Sequence, residues 1–134
     1  MLTDVLSDNA ARVPEFGACS PLLLYTNTQA QCNAGNPGTV RPAAVHGGMT
    51  DTFRDTFTIG YTNDLVVGAW AGNSNNQTML NITGLDGAAQ IWHDTMLLAE
   101  GQKPITPFPG PPAGMVKKTV NYPHLTTTDW YQTP

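Results

Sequence analysis

The chain has 134 residues, of which 40% are apolar and only 12% charged, and its net charge is −4. That length suits one domain or less, and that apolar share excludes a solvated disordered chain. Its six Lys and Arg residues are scattered, which excludes a basic stripe for gripping phosphates, and no apolar run approaches the roughly 20 residues of a membrane span.

The start, MLTDVLSDNAAR, has no basic region followed by an apolar block, so no targeting signal is read there. A short helix is expected over residues 2–8, with Leu2, Val5 and Leu6 on one face. Pro14 and Gly17 are expected to end anything regular. Pro21 to Tyr25 reads as a short strand, and the Asn-, Gln- and Gly-rich stretch Thr26 to Gly38 as an exposed loop. Cys19 precedes that stretch and Cys32 lies within it, with polar residues between the two. They read as free thiols or as a disulfide; the disulfide is preferred, because both lie in one turn-rich region without metal-type C-x-x-C spacing. A disulfide implies an oxidising compartment.

Three strands are expected next. The first is Arg41 to His46, where Pro42 favours an edge position or a strand start. Phe53 to Tyr61 places Phe53, Phe57, Ile59 and Tyr61 on one face at period two. Leu65 to Trp70 is a continuous apolar run, expected to be buried on both faces. Thr62-Asn63-Asp64 should join the last two as a hairpin.

Gly72 to Gly84 reads as a polar loop. Asp86 is expected to cap a helix over Gly87 to Glu100, with Ala88, Ile91, Trp92, Thr95, Leu98 and Ala99 as its apolar stripe. Trp70 and Trp92 are expected to pack sheet against helix. His93 beside the stripe reads as a structural or surface residue, and His124 as solvent-facing. The three histidines have no ligand-like spacing, so neither a metal nor a cofactor is expected. From Pro104 a proline-rich tail is expected to be extended, with one further strand over Met115 to Val120. The resulting fold class is α+β: a small antiparallel sheet of about three strands with a C-terminal helix on one face. Residues 1–103 form the domain and residues 104–134 the tail. The open sheet edges are expected to allow pairing with a second copy.

The order of several segments carries a resemblance. Arg41-Pro42-Ala43-Ala44-Val45-His46-Gly47-Gly48-Met49-Thr50 resembles the Lys-Thr-Gly strand of bifunctional class A penicillin-binding proteins. Phe53-Arg54-Asp55, Ile59-Gly60-Tyr61-Thr62, Asp64 to Gly68 and Trp70 resemble the hairpin that follows it. Gly84, Ala88, Ala89, Ile91 and Trp92 resemble that family's last helix. Leu6 to Asn9, Ala11-Arg12 and Phe16-Gly17 resemble the segment before the motif strand, and Asp129-Trp130-Tyr131 the tail after the domain. The resemblance implies part of a transpeptidase domain that works on peptidoglycan stem peptides and binds β-lactams, outside the cytoplasm.

It also exposes what is missing. The family acylates a serine in Ser-x-x-Lys. The serines here are Ser7, Ser20 and Ser74, and none has a lysine three residues later. Ser7-Asp8-Asn9 spells the family's second motif, but it sits directly ahead of the motif strand and reads as a helix end. At the motif itself His46 takes the lysine position, Gly47 the threonine position, Gly48 matches the glycine, and Thr50 keeps a hydroxyl. Histidine is mostly uncharged at neutral pH where lysine is charged. Substrate-binding residues implied by the resemblance are therefore His46, Gly47, Gly48 and Thr50, with no catalytic residue. Three readings compete: an enzyme fragment that is inert alone, a non-catalytic module binding a peptide or partner at the sheet edge, and a structural remnant.

Overall fold

A computed structural model describes residues 2–122 and 125–132; His124 lies outside them. The chain opens with two helices, α1 (Leu2–Ser7) and α2 (Asn9–Phe16). Asp8 caps α2 by accepting the Ala11 N–H at 3.2 Å, which satisfies one unpaired donor of the first turn. Ser7-Asp8-Asn9 is thus a helix junction. Contrary to expectation, α2 runs through Pro14 and stops at Gly17, which takes a positive φ of 76° and donates to the Val13 carbonyl. Pro14 removes one helical donor so near the end that the helix survives it.

The next elements are β1 (Leu24–Tyr25), α3 (Gln29–Asn33) and β2 (Val40–Arg41), with β1 and β2 antiparallel. The stretch expected as loop therefore holds a helical turn. Its Thr28 and Gln31 form a capping box, so the polar residues that read as loop are the ones that start the helix. Cys32 on α3 is bonded to Cys19, with Cα atoms 5.9 Å apart. A crosslink over a loop of this size contributes roughly 3 kcal/mol in the chain-entropy model.

The central sheet is β3 (Ala44–Met49), β4 (Asp55–Tyr61) and β5 (Val66–Gly72), antiparallel and in that order. Pro42 and Ala43 separate β2 from β3, so the single strand expected over Arg41 to His46 is two. Thr62 N–H donates to the Leu65 carbonyl at 2.9 Å and closes the expected hairpin. Helix α4 (Ala88–Glu100) crosses one face, which completes the α+β architecture. The expected tail strand is β6 (Met115–Tyr122), and it pairs with a second, β7 (Leu125–Gln132), that was not foreseen.

Burial corrects several expectations. On β4 the residues under α4 are Thr56, Thr58 and Gly60, while Phe57 and Ile59 face solvent. On β5, Val66 and Trp70 are exposed, so the run is not buried on both faces. The Trp70 indole N–H donates to Asp55 Oδ1 at 3.0 Å instead of packing on the helix. The buried face of α4 is Ala88, Ala89, Trp92, His93, Met96 and Glu100, whereas Ile91 and Leu98 are exposed. Asp86 does not cap α4; Gly87 holds that position, and Asp86 Oδ2 accepts the Thr83 N–H at 2.8 Å. Hydrogen bonds from Thr83 hold the Asp86 carboxyl below its ordinary pKa.

The physical reason is size. Trp92 is fully buried and lies against Gly60, where an added Cβ would sit 2.5 Å from the indole Cζ2 and 2.8 Å from Val45 Cβ. A wide side chain on the helix needs a small residue on the strand. The polar members of the helix face have partners that draw them inward. The His93 ring packs on Tyr25 at 4.9 Å. Glu100 Oε1 accepts the Thr62 hydroxyl at 2.5 Å, and its Oε2 lies 3.7 Å from Arg41 Nη1. Arg41 also donates to the carbonyls of Gly101, Lys103 and Pro104.

Two outcomes follow for stability. Gly60→Ala should lower stability by about 1–3 kcal/mol through overpacking against Trp92, read as a fall in the urea midpoint; an unchanged midpoint would mean that the indole has room to move. Arg41→Ala should cost about 3–5 kcal/mol, because it strands a buried carboxylate, and the double variant Arg41→Ala, Glu100→Ala should recover part of that loss in the same assay.

Candidate functional site

β3 is paired on one side by β4 and is an edge strand among the described residues. α1 packs against this strand, and Ala44 and Val45 are buried, so the accessible part of the edge runs from His46 to Met49; an accessible edge presents alternate backbone N–H and C=O groups for a further strand. Beside that edge lies a cleft of about 220 Å³. Val45, His46 and Gly47 of β3 form one side. Val5 and Leu6 of α1 and Arg12 and Phe16 of α2 form the other, with Leu22, Gly84 and Leu85 completing the lining.

Arg12 holds the helical wall in place. Its guanidinium donates to the carbonyls of Leu22 at 2.9 Å, Leu6 at 3.2 Å and Asp8 at 3.4 Å. Burial lowers its pKa from the ordinary arginine value, and the charge of Asp8 works in the opposite direction. The side chain remains a cation, as arginine does in proteins. One residue thereby ties both helices and the chain ahead of β1 together.

The residues expected at the motif separate into two pairs. His46 and Gly47 line the cleft. His46 is exposed and stands opposite Ile59, on the sheet face turned away from α4. Gly47 stands opposite Thr58, and an added Cβ would meet Thr58 Oγ1 at 3.3 Å and the Gly84 carbonyl at 3.4 Å. The loop before α4 thus lies against the backbone at this position. Gly48 has open space at its Cα, so another backbone can approach it. Thr50 is past the end of β3, and its hydroxyl accepts the N–H groups of Arg54 and Asp55 at 3.0 and 3.1 Å. It closes the turn between β3 and β4.

Two buried hydroxyls, those of Ser20 and Thr58, make no hydrogen bond. Among the described residues no cluster of His, Cys, Asp or Glu is arranged to hold a metal. The histidines are apart in the fold as well: His46 lines the cleft, while His93 is buried on α4. Asp55 Oδ1 accepts the Trp70 indole N–H, and Asp64 donates its backbone N–H to Thr62 Oγ1 at the hairpin turn. The α1–α2 wall was missed in the sequence. Arg12 gave no signal there, since Asp8 and Glu15 lie one turn to either side of it in the sequence, whereas its partners in the fold are backbone carbonyls.

No protein-family model matches the chain, and no curated protein matches it. Among solved structures, penicillin-binding protein 1A from Haemophilus influenzae is similar, with a TM-score of 0.58 and 18% sequence identity. The match covers 68% of this chain and 15% of that one. At that identity the likeness is one of fold: the small antiparallel sheet and its helix follow the arrangement of a penicillin-binding protein.

Thr58→Val replaces a fully buried, unpartnered hydroxyl beside Gly47 with a methyl group. Since a stranded buried hydroxyl costs roughly 1–3 kcal/mol, the variant should be at least as stable as the parent and up to about 1 kcal/mol more so, by urea denaturation. A clear loss of stability would show that the hydroxyl is bonded in solution.

Proposed function

We propose that this chain is the substrate-strand side of a cell-wall transpeptidase site of the penicillin-binding kind, and that it binds an extended stem peptide along β3 without acylating. The observation that carries the reading is the unpaired edge of β3 beside the cleft, accessible from His46 to Met49. Support comes from the fold likeness to a penicillin-binding protein and from the resemblance of Arg41 to Thr50 to the motif strand. A peptide that adds to a sheet edge gains affinity from main-chain hydrogen bonds and selectivity from pockets for alternate side chains. The absence of Ser-x-x-Lys from the sequence removes the nucleophile and its base. A buried disulfide persists in oxidising surroundings, which supports a place outside the cytoplasm.

A second reading is favoured by Gly47. The position that carries a hydroxyl in the family has none here, and a side chain there would press on Thr58 and the Gly84 carbonyl. That is the arrangement of a non-catalytic module that retains the edge strand and has given up carboxylate recognition. Both readings place the ligand on β3.

Incubation with a fluorescent penicillin should leave no adduct by intact-mass spectrometry, and a covalent adduct would overturn the non-acylating reading. Fluorescence anisotropy with a labelled stem peptide should show saturable binding that is lost when alternate backbone nitrogens are methylated. Binding indifferent to methylation would overturn strand addition.

A further inference from the structure

We infer that the cleft beside β3 takes one large apolar side chain, aromatic or leucine-sized, from an extended peptide of net negative charge whose backbone lies along β3. This rests on strand addition by a non-catalytic module, the second reading above, and supplies what that reading leaves open, the chemistry that makes one peptide preferred over another.

Shape comes first. Leu6, Phe16, Leu22, Val45 and Leu85 give the cleft an apolar surface, and its volume is about 220 Å³. An apolar cavity of roughly 150 Å³ lined by such residues is enough to hold a benzene ring. The cleft therefore admits an aromatic ring or a branched aliphatic side chain. Because one of its sides is the strand edge at Val45 to Gly47, a backbone paired with β3 can deliver a side chain directly into it. A free small molecule would fill the cleft and leave the strand edge unpaired, so the peptide uses more of what the site presents.

Charge sets the second requirement. The ionisable residues lining the cleft are Arg12 and His46, and no acidic residue lines it. Arg12 uses three N–H groups on carbonyls out of the five that a guanidinium carries. Like-signed ligands are penalised and oppositely charged ones favoured at such a surface. Selection by polar groups on the strand is correspondingly weak: Gly47 has no hydroxyl, and that of Thr50 already accepts two N–H groups at the turn.

The experiment uses the full chain and labelled, end-capped heptapeptides in fluorescence anisotropy. The parent peptide is acidic with one central Phe. Its relatives carry Ala in place of Phe, Lys in place of the acidic residues, or methylated alternate backbone nitrogens. Replacing Phe by Ala should weaken binding at least roughly tenfold, the scale of one buried anchor. The Lys peptide should bind more weakly than the acidic one at low salt. Val5→Asp, at a cleft residue that is 65% exposed, should weaken the acidic Phe peptide while leaving the melting temperature unchanged. Equal affinity of the Phe and Ala peptides, with methylation still abolishing binding, overturns the cleft assignment and leaves strand addition standing. Retained Phe dependence with no effect of methylation overturns strand addition instead. Equal binding of the Lys and acidic peptides overturns the charge preference, and no binding by any peptide overturns both readings.

Discussion

The contact between Arg41 and Glu100 is where the separate parts of the domain are held in one arrangement. Arg41 ends β2 just before the edge strand, Glu100 ends α4, and Thr62 at the β4–β5 turn donates its hydroxyl to the same carboxylate. A carboxylate at a helix C-terminus is disfavoured by the helix dipole by about 0.3–1 kcal/mol when exposed, so Glu100 is a poor choice on local grounds. Arg41 reverses the sign of the field there. Its guanidinium also gathers the carbonyls of Gly101, Lys103 and Pro104, which have no helical donors and would otherwise need water. A buried ion pair is not by itself a strong source of stability. Its effect here is to select one rotation of α4. Glu100, Met96 and Trp92 are spaced four apart on one helix face, so turning Glu100 toward Arg41 sets Trp92 over Gly60.

That rotation accounts for what was legible in the sequence and what was not. The period-two pattern of β4, its hairpin turn and the extent of α4 to within one residue were all readable from local spacing. Which face of each element was buried was not. Phe57 and Ile59 are the apolar residues of β4, yet Thr56, Thr58 and Gly60 are covered. The choice is made by the partner: Trp92 and Met96 arrive from the helix, and only small residues beneath them leave enough space. Likewise Ile91 and Leu98 outrank His93 and Glu100 in hydrophobicity, but Tyr25, Arg41 and Thr62 supply the partners that make the polar pair the inward one. These partners lie 38 to 68 positions from the helix residues they meet, well outside any window on which helical or strand periodicity is judged.

The candidate site shows the same division. The strand that carries it was readable because Arg41 to Thr50 is a contiguous segment. The cleft was not, because its far wall comes from α1 and α2 and its roof from Gly84 and Leu85. The placement also changes what the motif positions mean. Thr50, the residue that kept its hydroxyl, spends it on the β3–β4 turn. Gly47 lies where the loop before α4 leaves little space. In the strand-addition reading proposed above, recognition rests on the backbone edge and the apolar surface beside it, and neither depends on a nucleophile.

The cleft wall has an unusual foundation. α1 and α2 contain no fully buried residue, so little hydrophobic burial holds them against the domain. Their position depends on discrete ties. Arg12 binds them to each other and to the Leu22 carbonyl. The Thr3 and Tyr61 hydroxyls meet at 2.8 Å and join α1 to the sheet. Just beyond α2, the disulfide fixes Cys19 to α3, and the Tyr25 hydroxyl donates to the Cys19 carbonyl at 3.3 Å. Burial raises the Tyr25 pKa, with the charge of Asp94 adding to the effect, so the phenol stays protonated and able to donate at neutral pH. A wall held by a few directional contacts keeps its shape without filling the space next to β3. Packing the same helices down by hydrophobic burial would have closed that space, and with it the apolar surface to which the proposed selection along the strand is assigned.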